Sequence, residues 1–167
     1  TLFGYERFGI EPDVMTLAKG LGGGVPIGAF LSKSHCDVLR PGDHGSTFGG
    51  NPLTCAAAFA VANFVVEQGI LGKVLESEQI LKAGLEAIHA RHETLIKEIR
   101  GMGLLWAVEF YEDVGPQVVS SPNENGLLLN PVRPNVVRFM PPLTVSEPEI
   151  REAVDRFGKA IDAVSTK

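Results

Sequence analysis

Two short apolar runs, residues 13–18 (DVMTLA) and 27–32 (IGAFLS), constrain this chain more than any other feature. Neither leaves a regular polar position for one face to turn toward water. Runs of that length and kind suit strands covered on both faces, as in the interior of an α/β sheet. Between them lies KGLGGGVP, where Lys19 is followed by Gly20, Gly22, Gly23 and Gly24. A long cationic side chain therefore leaves the end of a strand expected to be buried, beside backbone stripped of side chains. Desolvation near an interior makes an amine nucleophilic, and glycines let a bulky group come close. Those are the needs of a lysine that condenses with a carbonyl. A solvated lysine at a strand end fits the same spacing. Two competing motifs fail. A P-loop places its glycines before the lysine, and here the order is reversed. HGSTFG (44–49) is not G-x-S-x-G, because Ser46 directly follows Gly45.

The rest of the chain alternates between helical and extended periods. SHCDVLR (34–40) fits one or two helical turns. Asn51 and Pro52 open a helix: the first can cap it and the second needs no N–H partner there. Its Ala-rich run to Gln68 is expected to pack closely on several sides and to end at Gly69. Leu71, Val74, Leu81, Leu85 and Ile88 mark a second helix over about 72–92. LIKEIRGMGLLWAVEF (95–110) predicts two strands around Gly101 and Gly103. Residues 126–130 and 135–141 predict two more, with Trp106 in a small core and Glu109 at the surface. Pro122 is expected to stop a helix early in 118–126. Ser146 and Glu149 fit a capping box, and Ile150, Ala153, Val154, Phe157, Ile161 and Val164 carry one apolar stripe over 146–165. The chain thus divides into part of an α/β layer (1–68), a connecting helix (69–94) and a small α+β unit (95–167).

Composition narrows the partners. Of 167 residues, 44% are apolar and 21% charged, with a formal net charge of −5. With acids and bases interspersed, nothing calls for nucleic acid. Cys36 and Cys55 make no disulfide or metal framework and suit a reducing compartment. The longest apolar stretch is too short to span a bilayer. The first residues show no signal-peptide pattern and no initiator Met, so a longer parent chain is expected.

Three further groups are candidates for chemistry. In HGSTFGGNP (44–52), Ser46, Thr47 and nearby N–H groups precede a helix start, an arrangement suited to an anion, though also to a plain polar turn. In VVRFMPPL (136–143), alternation sets Arg138 opposite Val137 and Phe139. A guanidinium there can clamp a carboxylate or simply stand at an exposed edge. His35, His44, His89 and His92 form no metal set and are expected to be solvated.

The segments YERFGIEPDVMTLAKGLGGGVPIGA, GDHGSTFGGNPL and VVRFMPPLTVSEPEI, in that order, resemble the class III pyridoxal-phosphate aminotransferases. Within that family they are most similar to members acting on acetylornithine, with those acting on ornithine near. The resemblance runs end to end here and covers the C-terminal portion of a family member. It implies the type I pyridoxal-phosphate fold, α/β in class: a piece of a large mostly parallel α/β domain and a small C-terminal α+β domain. It also implies three roles. Lys19 corresponds to the lysine that holds pyridoxal 5'-phosphate covalently. Thr47, with Ser46 beside it, corresponds to the segment that reaches across a homodimer to the phosphate of the neighbour's cofactor. Arg138 corresponds to the arginine that grips the substrate carboxylate. The implied reaction is transamination in amino-acid (arginine) biosynthesis, with 2-oxoglutarate collecting the amine, in the cytoplasm, with no metal, membrane or nucleic acid. The family's carboxylate partner for the pyridine nitrogen, its own-subunit phosphate loop and its ring-stacking aromatic lie upstream of Thr1. The 167 residues alone are therefore expected not to transaminate efficiently. Other readings of the same residues are an ornithine or 4-aminobutyrate aminotransferase, an aminomutase or decarboxylase on the same fold, and a non-catalytic oligomerisation module.

Overall fold

A computed structural model describes residues 1–124 and 126–165, without the side chains of 121–124. It separates into two compact units, Thr1–Leu71 and Gly72–Lys167.

In the first unit, β1 (Val14–Leu17) and β2 (Ala29–Ser32) pair antiparallel, with Val14 opposite Ser32 and Leu17 opposite Ala29. A 3-10 turn, Lys19–Gly22, follows β1 after Ala18, its N-cap. Helix α1 (Pro52–Glu67) begins as its sequence predicts: the Asn51 side chain accepts from Thr54 N–H at 3.1 Å, with Pro52 in the first turn. Gly69, at φ +64°, allows the chain to leave the helix through the left-handed region. Burial departs from expectation. Neither strand is buried, and α1 has no buried residue; Val14, Phe30, Leu31, Leu53 and Phe59 are exposed. A two-stranded ribbon and one helix have too little mass to cover both faces of any element.

The second unit has the core. Helix α2 (Ile70–Arg91) starts two residues before the predicted boundary and ends one before it. The sheet that follows runs β3-β4-β6-β5 and is antiparallel throughout, from β3 (Ile96–Met102), β4 (Leu105–Phe110), β5 (Asn130–Arg133) and β6 (Val136–Phe139). Alternation along β4 and β6 turns Trp106, Val108, Phe110, Val137 and Phe139 to one face. There they join Leu81, Leu85 and Ile88 of α2 and Ile150, Phe157 and Ile161 of α4 (Glu147–Ser165). Each such side chain contributes about 1.5–3 kcal/mol on burial. Phe139 and Phe157 meet edge to face, with centroids 4.9 Å apart. The α4 cap is half of the predicted box: Glu149 accepts from Ser146 N–H at 2.8 Å and from the Ser146 hydroxyl at 2.7 Å.

Two boundaries are corrected. The strand expected at 126–130 begins only at Asn130; Leu127 and Leu129 pack on the core ahead of the ladder, while Leu128 is exposed. Helix α3 (Gly115–Glu124) runs through Pro122 and ends two residues later. A proline removes one N–H bond and crowds the carbonyl four residues before it, and the helix continues only two residues beyond it.

Candidate active site

The end of β1 delivers Lys19 in a strained conformation. Its φ is +55°, which makes it the one non-glycine residue with positive φ among the described residues. A β-carbon in the left-handed region costs roughly 1–2 kcal/mol. Strain of this kind is kept where surroundings fix it, and it clusters at functional sites. The side chain is exposed and makes no hydrogen bond or ion pair among the described residues. The desolvation expected from a buried β1 is therefore absent, because β1 itself is uncovered.

The glycines after Lys19 divide by role. A β-carbon on Gly22 would sit 2.9 Å from Ile27 Cγ2, and one on Gly23 3.0 Å from Val61 of α1. Those two let the loop pack within its own unit. Gly20 and Gly24 face open space, with nothing within 4 Å of an added β-carbon. The open space next to Lys19 along the chain is that at Gly20.

The 44–51 loop is built on Ser46. Its Oγ accepts from Gly49 N–H at 2.9 Å, and a β-carbon on Gly49 would meet that oxygen at 2.7 Å. Asn51 donates its side-chain amide to Phe48 O at 2.9 Å while capping α1. The Ser46 hydroxyl hydrogen remains available to donate, and Thr47 beside it is exposed. The helix terminus is a poorer anion site than its sequence suggests: Asn51 takes the Thr54 N–H and Pro52 has none. Any anion here rests chiefly on the two hydroxyls. Pro26, Gly28, Phe48, Gly50 and Thr54 help wall a concavity of about 320 Å³ between this loop and the Gly-rich one.

Arg138 belongs to the second unit. It lies opposite Ala107 of β4 and Asn130 of β5, on the sheet face turned away from the core, as alternation predicts. It is half-buried and has no hydrogen-bond or ion-pair partner among the described residues. Nearby cations on that face are paired. Glu109 accepts from Lys97 at 2.7 Å and from Arg100 at 2.6 Å. The bond to Lys97, then that to Arg100, holds the Glu109 carboxyl below its ordinary value. Glu109 is thus a bound anchor with a side chain only 16% exposed, not the free surface carboxylate expected. Trp106 is buried and donates Nε1–H to Gly103 O at 2.8 Å.

The histidines need one correction. His92 is not solvated; its Nε2 lies 2.8 Å from Asp162 Oδ1, and its side chain is 13% exposed. No three His, Cys, Asp or Glu side chains cluster for a metal among the described residues. Cys36 and Cys55 are free thiols, and among the described residues no single helix is long and apolar enough to cross a membrane.

Each group suits one part of a phosphorylated aldehyde by its own chemistry: the Lys19 amine, without a partner among the described residues, suits the aldehyde, and the Ser46 and Thr47 hydroxyls suit a phosphate. Sequence reasoning missed the backbone strain at Lys19, which no residue pattern encodes for a non-glycine position.

The family model described as aminotransferase class-III matches residues 1–161. An acetylornithine aminotransferase from Caldanaerobacter subterraneus is 51% identical over 153 residues, covering 92% of this chain and 39% of its own length. One from a Nostoc species is 47% identical over 167 residues, covering 98% and 39%. Among solved structures, the acetylornithine aminotransferase of Elizabethkingia anophelis superposes with a TM-score of 0.90 at 32% identity, over 98% of this chain and 42% of that one. The ornithine aminotransferase of Toxoplasma gondii gives 0.89 at 38% identity, over 96% and 39%. The chain spans about two fifths of the length of the relatives it matches. Its fold is a portion of the type I pyridoxal-phosphate transferase fold, part of the large α/β domain followed by the small α+β domain.

Proposed function

Because this chain belongs to the class-III aminotransferase family, we propose that it carries the lysine, hydroxyl and arginine groups of a pyridoxal-phosphate-dependent aminotransferase acting on an acetylornithine-type amino acid. The observation that carries this reading is Lys19, held left-handed just after β1, its amine without a partner among the described residues. When bound, pyridoxal phosphate supplies an aldehyde for amine exchange and a sink for the electrons of the substrate's carbon–hydrogen bond. Lys19 Nζ would hold the cofactor and would be the base that takes the proton from the amine-bearing carbon of the substrate. The Ser46 and Thr47 hydroxyls donate to the phosphate of the cofactor in a second copy of the chain, which makes the working unit a homodimer. The Arg138 guanidinium holds the carboxylate of the amino donor and, in the second half-reaction, that of 2-oxoglutarate.

Support for acetylornithine comes from the relatives that bear that name; ornithine is the second reading, supported by the Toxoplasma structure. Nothing among the described residues orients the exposed Lys19 amine. The 167-residue chain by itself is therefore expected not to turn over efficiently. The reading is tested by adding pyridoxal phosphate to the chain and following the cofactor's visible absorption. A shift that is lost in Lys19→Ala and kept in Lys33→Ala supports it. Identical spectra for all three proteins overturn it.

A further inference from the structure

The face of the second sheet that carries Arg138 separates its charges in an ordered way. Lys97, Glu98, Arg100 and Glu109 form a closed set of two cations and two carboxylates. Lys97 bonds Oε1 of Glu109, Arg100 bonds Oε2, and Arg100 also bonds Glu98 at 2.9 Å. The irregularity between Ile96 and Glu98 in β3 accompanies Lys97's placement on this face. Arg138 lies outside the set, although the register brings it near. Glu109 is paired with Val136, and Arg138 is two residues farther along the same strand. That makes Glu109 and Arg138 diagonal neighbours, about 7–8 Å apart at the backbone and within reach of two long side chains. Ala107, between Arg100 and Arg138 in the register, is too short to fill the gap, and a concavity of about 470 Å³ opens there between the two arginines.

We propose that Lys97 and Arg100 are positioning residues for the carboxylate clamp: by occupying both oxygens of Glu109, they keep it from pairing with Arg138 and leave that guanidinium for a substrate carboxylate. The inference rests on the reading of Arg138 as that clamp. Without the two cations, Glu109 is the nearest internal carboxylate on the diagonal and competes with the substrate for the same group.

The test uses the full 167-residue chain with isotope-labelled arginine, and glutarate as the probe. The Arg138 side-chain N–H signal is followed without ligand and during titration. In Lys97→Met/Arg100→Met, the ligand-free signal shifts as Glu109 turns to Arg138, and glutarate binds roughly two- to fivefold more weakly, as competition from an ion pair at the edge of solvent implies. Adding Glu109→Gln to that variant restores both readouts, whereas Glu109→Gln alone changes binding little. This non-additivity separates a specific contact from a general change in charge. An equal effect of Glu109→Gln in both backgrounds, or no shift of the Arg138 signal, overturns the proposal while leaving the clamp intact. A glutarate affinity unchanged in Arg138→Lys overturns the clamp, and the proposal with it.

Discussion

Gly101 is the position where one added methyl group should do the most damage. It lies in β3 directly opposite Trp106. A β-carbon there would stand 2.5 Å from Leu105 O and 2.6 Å from Trp106 Cγ, closer than such atoms ever sit. Neither neighbour can yield cheaply. Leu105 O is backbone within a tight hairpin, and the indole is buried and tied by Nε1–H to Gly103 O. Overpacking of this kind costs about 1–3 kcal/mol, and the rigid neighbours put Gly101→Ala near the upper end. Alanine in place of glycine recovers about 0.5–1 kcal/mol through the unfolded chain, leaving a net loss of about 2 kcal/mol. For a unit of this size, that lowers the melting temperature by roughly 8–16 °C. Trp106 is the only tryptophan in the chain, so its fluorescence during heating reads the site itself. A Gly101→Ala protein that melts within a degree or two of the native one, with the same emission, refutes the argument. Gly20→Ala, which meets nothing within 4 Å, is the control and should lose little.

Other changes follow from the same structure. Gly84 of α2 lies against Val154 of α4, where an added β-carbon would come 2.7 Å from Val154 Cγ1. Gly84→Ala should therefore cost about 1–3 kcal/mol in denaturant unfolding, with part recovered in Gly84→Ala/Val154→Ala. Asn51→Ala should cost about 1 kcal/mol of helix stability, seen as weaker far-ultraviolet helix signal at high temperature. Glu109 titrates below its ordinary 4.5 in the folded chain. Its stabilisation is thus complete above that value and is lost as pH falls through the lower folded one. Melting curves of the native chain and of Glu109→Gln should differ at neutral pH and converge in acid; a constant gap would contradict the pairing.

Legibility in the sequence tracked packing density. The stripe Ile150–Phe157–Ile161 and the alternation around Trp106 predict the second unit because its elements cover one another. Proline and asparagine at 51–52 predict a cap because that chemistry is local. The apolar runs around Lys19 mislead on burial, since covering depends on neighbours that 71 residues do not provide. Side-chain pairing was also hidden. Glu109 looked like a surface acid because its cations come from β3, in register across the sheet, and His92 looked solvated because Asp162 is seventy residues away. The face that Arg138 takes was legible from a period of two; its lack of a partner among the described residues was not.

The most direct test is to mix the chain with pyridoxal phosphate, reduce with borohydride and locate the modified residue by peptide mass spectrometry. Labelling concentrated on Lys19, and lost in Lys19→Ala, is the predicted result. Labelling spread over Lys33, Lys73, Lys82 and Lys159, and unchanged when Lys19 is removed, contradicts it.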